Sequence, residues 1–372
     1  MLIHIDGSAV ADAIAGNERS HGSIENLLLA HHGGVHIVSF DLRDAESMRA
    51  VDWSPRARRV LNRFIEEHYA QIAGLRSDVA WHLELGLGPD FDGKARSLPD
   101  GRSAIRASLH DFESLDAVAR SILLGENKTD AELFELLGLM RRAMRGWEHL
   151  DMLCTLRGGG GSQLGREFAA LPSRGTIVLA VADSDKRHRD GGHGESYHGL
   201  EKEAAKRPAY QRARLLPRRT AEAVVPLSVY REVFGAKNGD HRVRAVERLE
   251  VLVSSASGEC IQYAHLKQGI TLYQVEHPRT ADEGIYWRDV AQKAERDRCT
   301  KPENKCVKRD ECKCFVVDKL GDGALVDVIA WMKTVPREKD LAKRFNFAED
   351  HDLRALADEV LSWGLALRPV RT

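Results

Sequence analysis

The chain has no long hydrophobic run. Its longest unbroken apolar stretch is Ile177 to Ala182, far short of the roughly 18 to 20 residues that cross a bilayer, which excludes a spanning helix and removes the membrane from the expected partners. Net charge is nearly absent as well. Its 55 Lys+Arg stand against 56 Asp+Glu for a formal charge of −1, so the whole molecule exerts no pull on a polyanion and any such binding needs a local patch. Cysteine is sparse, six in 372 residues, which argues for thiols or metal ligands and against a disulfide framework. The opening Met-Leu-Ile-His-Ile-Asp reaches a charge at Asp6 and lacks the cationic start and small-residue cleavage site of a secretory signal. The expected location is the cytoplasm. Trp53, Trp81, Trp147, Trp287, Trp331 and Trp363 are scattered, so they are assigned to cores and not to a base-stacking platform.

What is present is enough apolar content for real cores, 43% of residues. The length favours two compact units, because a single core stops growing near roughly 250 to 300 residues. The expected fold class is α/β. Short apolar runs at Leu2–Ile5, Val35–Phe40 and Val79–Leu87 read as strands, and Val60, Leu61, Phe64, Ile65, Ile72 and Leu75 recur at helical spacing after Pro55. The segment from Gly86 to Gly101, with four Gly and two Pro, reads as a connection. A boundary is placed at about 115, giving an N-terminal α/β domain (1–115) of open role and a second domain (116–372).

From Ala119 the alternation is that of a parallel α/β sheet: strand Ala119–Leu124, helix Asp130–Met144, strand Met152–Leu156, helix Gln163–Leu171, strand Thr176–Ala182. Such a sheet presents its ligand sites at the carboxyl ends of its strands. The first of these strands runs into Glu126 and Asp130, and the third into Asp183-Ser184-Asp185. An extended Asp-x-Asp points its side chains to opposite faces, so joint action by Asp183 and Asp185 requires the chain to turn as it leaves the strand. Hard oxygen ligands clustered in this way suit Mg²⁺ or Mn²⁺ shared with phosphate oxygens. The ordinary alternative is that these acids are turn formers and helix N-terminal charges. Between 186 and 219 ten basic residues stand against four acidic ones, and Arg212, Arg214, Arg218 and Arg219 within this stretch are candidate phosphate contacts or a solvated face. His188, His193 and His198 match no metal helix and read as loop residues.

The order of these motifs resembles the Toprim domain, and in particular the nucleases of the OLD (overcoming lysogenization defect) family. Glu126 with Asp130 resembles the strand-ending Glu and the acid four residues on, although Asn127 stands where that family has Gly. Cys154-Thr155-Leu156-Arg157 with Gly158–Gly161 resembles the second strand and its glycine-rich turn, Asp183 and Asp185 the Asp-x-Asp, and Arg218-Arg219-Thr220-Ala221-Glu222 the later Ser/Thr-x-Glu. The likeness covers roughly 119–235. It implies a Toprim-like catalytic domain in which Glu126, Asp183 and Asp185 hold one Mg²⁺ or Mn²⁺ and Asp130 and Glu222 help hold a second, hydrolysing DNA or RNA by a two-metal displacement. Lys267 and Lys319 are the candidates for the Lys that family carries late in its domain. No Gly-x-x-x-x-Gly-Lys-Ser/Thr occurs, so the resemblance is to an ATPase-free member, a kind found as an effector of antiviral defence, with a regulatory partner chain or self-assembly as further expectations. Alternatives are a catalytically inactive Toprim-like module that binds nucleic acid or a partner, and another Mg²⁺-dependent phosphohydrolase.

A Cys-rich charged insertion spans 295–314. Its Cys299, Cys306, Cys312 and Cys314 suit a structural Zn²⁺ stapling a coreless segment, or else free or redox-sensing thiols. Cys154 and Cys260 sit in apolar surroundings and read as small core residues.

Overall fold

The computed structural model describes residues 1–237, 240–256, 258–299, 306 and 312–368. The fold is mixed α/β with parallel sheets, as the alternation predicts. Two compact units divide the chain, one holding 1–181, 199–214 and 354 onward, the other 182–198 and 215–353.

The first unit contains two open sheets. Strands β1 (Leu2–Ile5), β2 (Ile37–Phe40), β3 (Trp81–Gly86), β4 (Lys94–Ser97) and β5 (Ser103–Ser108) lie in the order β2-β1-β3-β5-β4. All are parallel except the edge strand β4. Every residue of β1 and β2 is buried, which is why both are mostly apolar, and their single polar residues, His4 and Ser39, lie 3.2 Å apart through Nδ1 and Oγ. β4 is exposed throughout and lies inside the segment that its Gly and Pro mark as a connection. Its pairing with β5, from Lys94 opposite Arg106 to Ser97 opposite Ser103, makes it a strand.

Of the next strands, β6 (Ser121–Gly125), β7 (Leu150–Met152), β8 (Cys154–Gly158), β9 (Val178–Ala182) and β10 (Gln211–Leu215), four form a sheet in the order β10-β9-β6-β8. β6 pairs in parallel with β8 on one side and β9 on the other. The Val178 N–H donates to the Tyr210 carbonyl and the Leu216 N–H to the Ala182 carbonyl, contacts that rise together along both strands as in a parallel ladder. The expected single strand Met152–Leu156 is two strands broken at Leu153, because β7 pairs antiparallel with β13 (Leu365–Leu367) while β8 pairs with β6.

The expected boundary at about 115 falls between the two sheets of this one unit. The returning C-terminal helix, His351–Gly364, bonds to both sides of it. Its Ser362 hydroxyl accepts from the Trp81 N–H at 3.2 Å, and its Asp358 takes Arg141 and Arg145 at 3.0 and 2.8 Å. On the same helix, Glu359 is buried and pairs with Arg212 at 2.5 Å and Arg214 at 3.5 Å, while the Arg212 guanidinium lies 4.4 Å over the Trp81 ring. Replacing Glu359 with Gln leaves two partly buried cations uncompensated. The expected cost is about 3 to 5 kcal/mol, read as a lower urea midpoint with an unchanged slope.

The second unit is mainly helical, with helices Leu227–Gly235, Arg242–Ser255, Ala281–Lys293 and Ala324–Met332 beside the short antiparallel pair β11 (Ile270–Thr271) and β12 (Phe315–Val317). Trp287 is buried there and donates its indole N–H to the Arg187 carbonyl at 2.7 Å. Among the described residues, no helix is long and apolar enough to cross a membrane.

Candidate functional site

The order β10-β9-β6-β8 places a reversal of winding between β6 and β9, since the chain leaves β6 for β8 on one side and comes back to β9 on the other. In open α/β sheets the crevice outside the carboxyl ends at such a reversal is where ligands bind. Glu126 is the first residue after β6 and Asp183 the first after β9. Both are half-buried.

Asp130 is placed differently. It is buried in the first turn of the helix Lys128–Met144, and its Oδ2 accepts from the Asn127 N–H at 2.8 Å in a capping box. Asn127, which stands where the resembled family has Gly, is therefore the residue that caps this helix, with Asp130 as its reciprocal partner.

The glycine run after β8 has a packing role. A Cβ on Gly158 would lie 2.6 Å from the Lys128 backbone nitrogen, so the end of β8 can approach the start of that helix only without a side chain. Beyond it, the Gly159 and Gly161 N–H groups donate to the carbonyls of Gly125 and Glu126 at 2.8 and 3.0 Å. These two donors join the ends of β8 and β6. Gly158→Ala is expected to force that approach apart at a cost of about 1 to 3 kcal/mol, again visible as a lower urea midpoint.

In the second unit, Asp185 has φ +53°, the left-handed region that Asp enters more readily than most residues. The turn that joint use of Asp183 and Asp185 requires is thus present. It is held by the Ser184 and Asp185 N–H groups, which donate to the carbonyls of Arg218 and Arg219 at 3.3 and 3.1 Å, and by the Gly194 N–H, which donates to the Ser184 carbonyl at 3.0 Å. Glu222 is half-buried in the short turn Ala221–Val224. Burial pushes the His265 imidazole below its ordinary range, the Arg219 charge adds to that, and the Glu222 and Asp185 carboxylates oppose it. Asp185, Arg219, Glu222 and His265 therefore share one electrostatic neighbourhood.

The four candidate arginines separate into two groups. Arg212 and Arg214 are the half-buried partners of Glu359 in the first unit. Arg218 is paired with Asp350, and Arg219 is buried and donates Nη1–H to the Tyr263 carbonyl at 3.2 Å. Of the two lysine candidates, Lys267 pairs with Asp322 at 3.3 Å and Lys319 lies 5.9 Å over the Phe315 ring. His193 contacts the rings of Tyr197 and His198 at 5.4 and 6.3 Å, and His188 is buried near Tyr286.

The sulfurs of Cys299, Cys306 and Cys314 lie within 4.8 Å of one another and could hold a metal ion. Cys312 accepts from the Tyr273 N–H at 3.4 Å. Burial and the adjacent Cys299, Cys312 and Cys314 thiols push the Cys306 thiol up. Residues 300–305 and 307–311 of the expected insertion lie outside the described residues. Cys260 is buried, as expected of a core residue, whereas Cys154 is half-buried; burial pushes their thiols up to about 11 and about 12.

Sequence reasoning missed a polar cavity of about 470 Å³ beside Asp185, to which Arg187, Arg219, His265, Tyr273, Arg279 and Glu283 contribute. Only the density of basic residues before 219 hinted at it, since the rest comes from segments some fifty to a hundred positions further along the chain. No family model, curated protein or solved structure matches the chain.

Proposed function

We propose that the chain is a metal-dependent nuclease of Toprim-like organisation, hydrolysing phosphodiester bonds with Mg²⁺ or Mn²⁺ held by Glu126, Asp183 and Asp185, with Glu222 as a further ligand. The observation that carries this reading is the pair of half-buried carboxylates, Glu126 and Asp183, at the carboxyl ends of the two strands that flank the winding reversal. A fold of this kind can serve many reactions, so the choice of substrate rests on the motif order along the chain. Oxygen ligands of this number suit an ion that keeps some of its waters and shares phosphate oxygens. When bound, such an ion would supply Lewis-acid polarisation of the phosphoryl oxygens and lower the pKa of its water. The residues of the chain have the tasks of fixing the ion and orienting the phosphate. The same resemblance extends the proposal to a role in antiviral defence.

For the thiol cluster we propose a structural Zn²⁺. Tetrahedral thiolate zinc with Zn–S near 2.3 Å sets sulfurs roughly 3.8 Å apart, and Cys314 and Cys299 are 3.9 Å apart. Cys306 and Cys312 would complete the set.

The test is incubation of purified protein with plasmid DNA and with total cellular RNA in Mg²⁺, Mn²⁺ or EDTA. Cleavage confined to the metal-containing reactions is expected, and the polymer cut names the substrate. The capping role of Asp130, which occupies one expected ligand, favours a second reading as a binding module without catalysis. Retarded migration of nucleic acid with no cleavage under any condition would select it.

A further inference from the structure

We propose that the cavity beside Asp185 is a phosphate-binding site that takes the terminal phosphomonoester of a nucleotide or oligonucleotide through Arg187, Arg219 and Arg279. Three guanidinium groups of the second unit line one cavity, and nothing about packing requires three like charges there. Arg219 is 7% exposed, and its Nε–H is a buried donor with no hydrogen-bond partner among the described residues. An unpaired donor on a buried cation is costly, and an anion entering the cavity would offset the charge of that cation. Arg187 and Arg279 repel the Arg219 charge and Asp185 and Glu283 offset this. Glu283 is itself engaged, with Arg187 at 3.4 Å and with the Arg279 N–H at 3.1 Å, which leaves Asp185 as the acid that holds an incoming anion in check.

Phosphate is preferred over a carboxylate on charge and shape. A terminal phosphate carries close to two negative charges at neutral pH and three strong acceptor oxygens, and planar guanidinium forks match them. A cavity of about 470 Å³ is far larger than one phosphate needs and falls within the range that holds a drug-sized molecule. Tyr273 and His277 also line it, stacked at 4.2 Å with 17° between their planes, a flat surface on which a base can lie. That the phosphate belongs to a nucleotide rests on the nuclease reading; the anion site does not.

The test is titration calorimetry of the full chain in EDTA, so that no catalytic metal takes part. The probes are inorganic phosphate, thymidine 5′-monophosphate, and a thymidine octamer with phosphorylated ends beside its hydroxyl-ended twin. The phosphorylated octamer is expected to bind at least about tenfold more tightly than its twin, since charge-assisted hydrogen bonds of this kind are among the stronger ones. Arg219→Gln should abolish that difference and Arg279→Gln should reduce it. Arg279 is exposed at the rim, so its variant reads the site even if the Arg219 variant does not fold. Tighter binding of the octamer than of the mononucleotide assigns the site to chain ends and the reverse assigns it to free nucleotides, and both support the proposal. Equal binding of the phosphorylated and hydroxyl-ended octamers, or parental selectivity in both variants, overturns it. Phosphate selectivity without metal-dependent cleavage would overturn the nuclease reading alone, and cleavage without selectivity the cavity proposal alone.

Discussion

Asp183→Ala and Glu126→Ala are each expected to lower metal-dependent cleavage by at least about a hundredfold while the protein stays folded. Loss of a group that merely orients a metal ligand typically costs 10- to 100-fold, so loss of a ligand itself should cost no less. Both residues are half-buried at strand ends, and neither lies in the apolar core of its strand. The variants should therefore keep the parental circular dichroism spectrum. Asp130→Ala provides the contrast. Its carboxylate closes a capping box, and removing such a cap costs about 1 kcal/mol. It should lower stability measurably and cleavage only modestly. A hundredfold loss from Asp130→Ala with stability unchanged would make that residue a metal ligand after all. Parental cleavage by the Asp183 variant would remove the nuclease reading.

The parts of this fold that were legible are those whose signal is local. β6 and β9 read as apolar runs because parallel strands covered on both faces have no polar side to present. β4 and β10 were missed for the opposite reason. Every residue of β4 is exposed, and Arg212 and Arg214 of β10 lie half-buried against Glu359, so pairing alone makes these segments strands. The acids at the strand ends were visible because strand termini can be located from the sequence, and a topological argument then says what such positions do. The fate of the arginines was not legible. Arg212 and Arg214 are fixed by an acid about 145 positions away, and whether a basic residue is a surface charge or one half of a pair depends on which distant segment returns to it. Asn127 shows the same limit in miniature. As a letter it departs from a motif, and in the structure it caps a helix.

The second large effect is expected from removal of zinc. Metal analysis of the purified protein should find about one Zn²⁺ per chain, and a strong chelator should release it together with four reactive thiols. The remaining two, Cys154 and Cys260, have thiols raised to about 12 and about 11 by burial, so little of either is thiolate at neutral pH and both should react slowly. Their slowness makes the count discriminating: near zero fast thiols before chelation, four after. Structural zinc contributes folding free energy outright, on the order of 10 kcal/mol or more in isolated zinc-binding peptides. Here the gain should be smaller, because Trp287, Val290, Leu325 and Val328 bury apolar surface in the same unit without any metal. The chelated protein and Cys306→Ser should therefore lose a large part of the thermal stability of the second unit while the first unit keeps its own transition. Added Zn²⁺ should restore the chelated parent and fail to restore Cys306→Ser, since a tetrahedral site that loses one thiolate has only three ligands for the ion. Four fast thiols in the untreated protein, with no bound metal, would instead make the cluster a set of free cysteines.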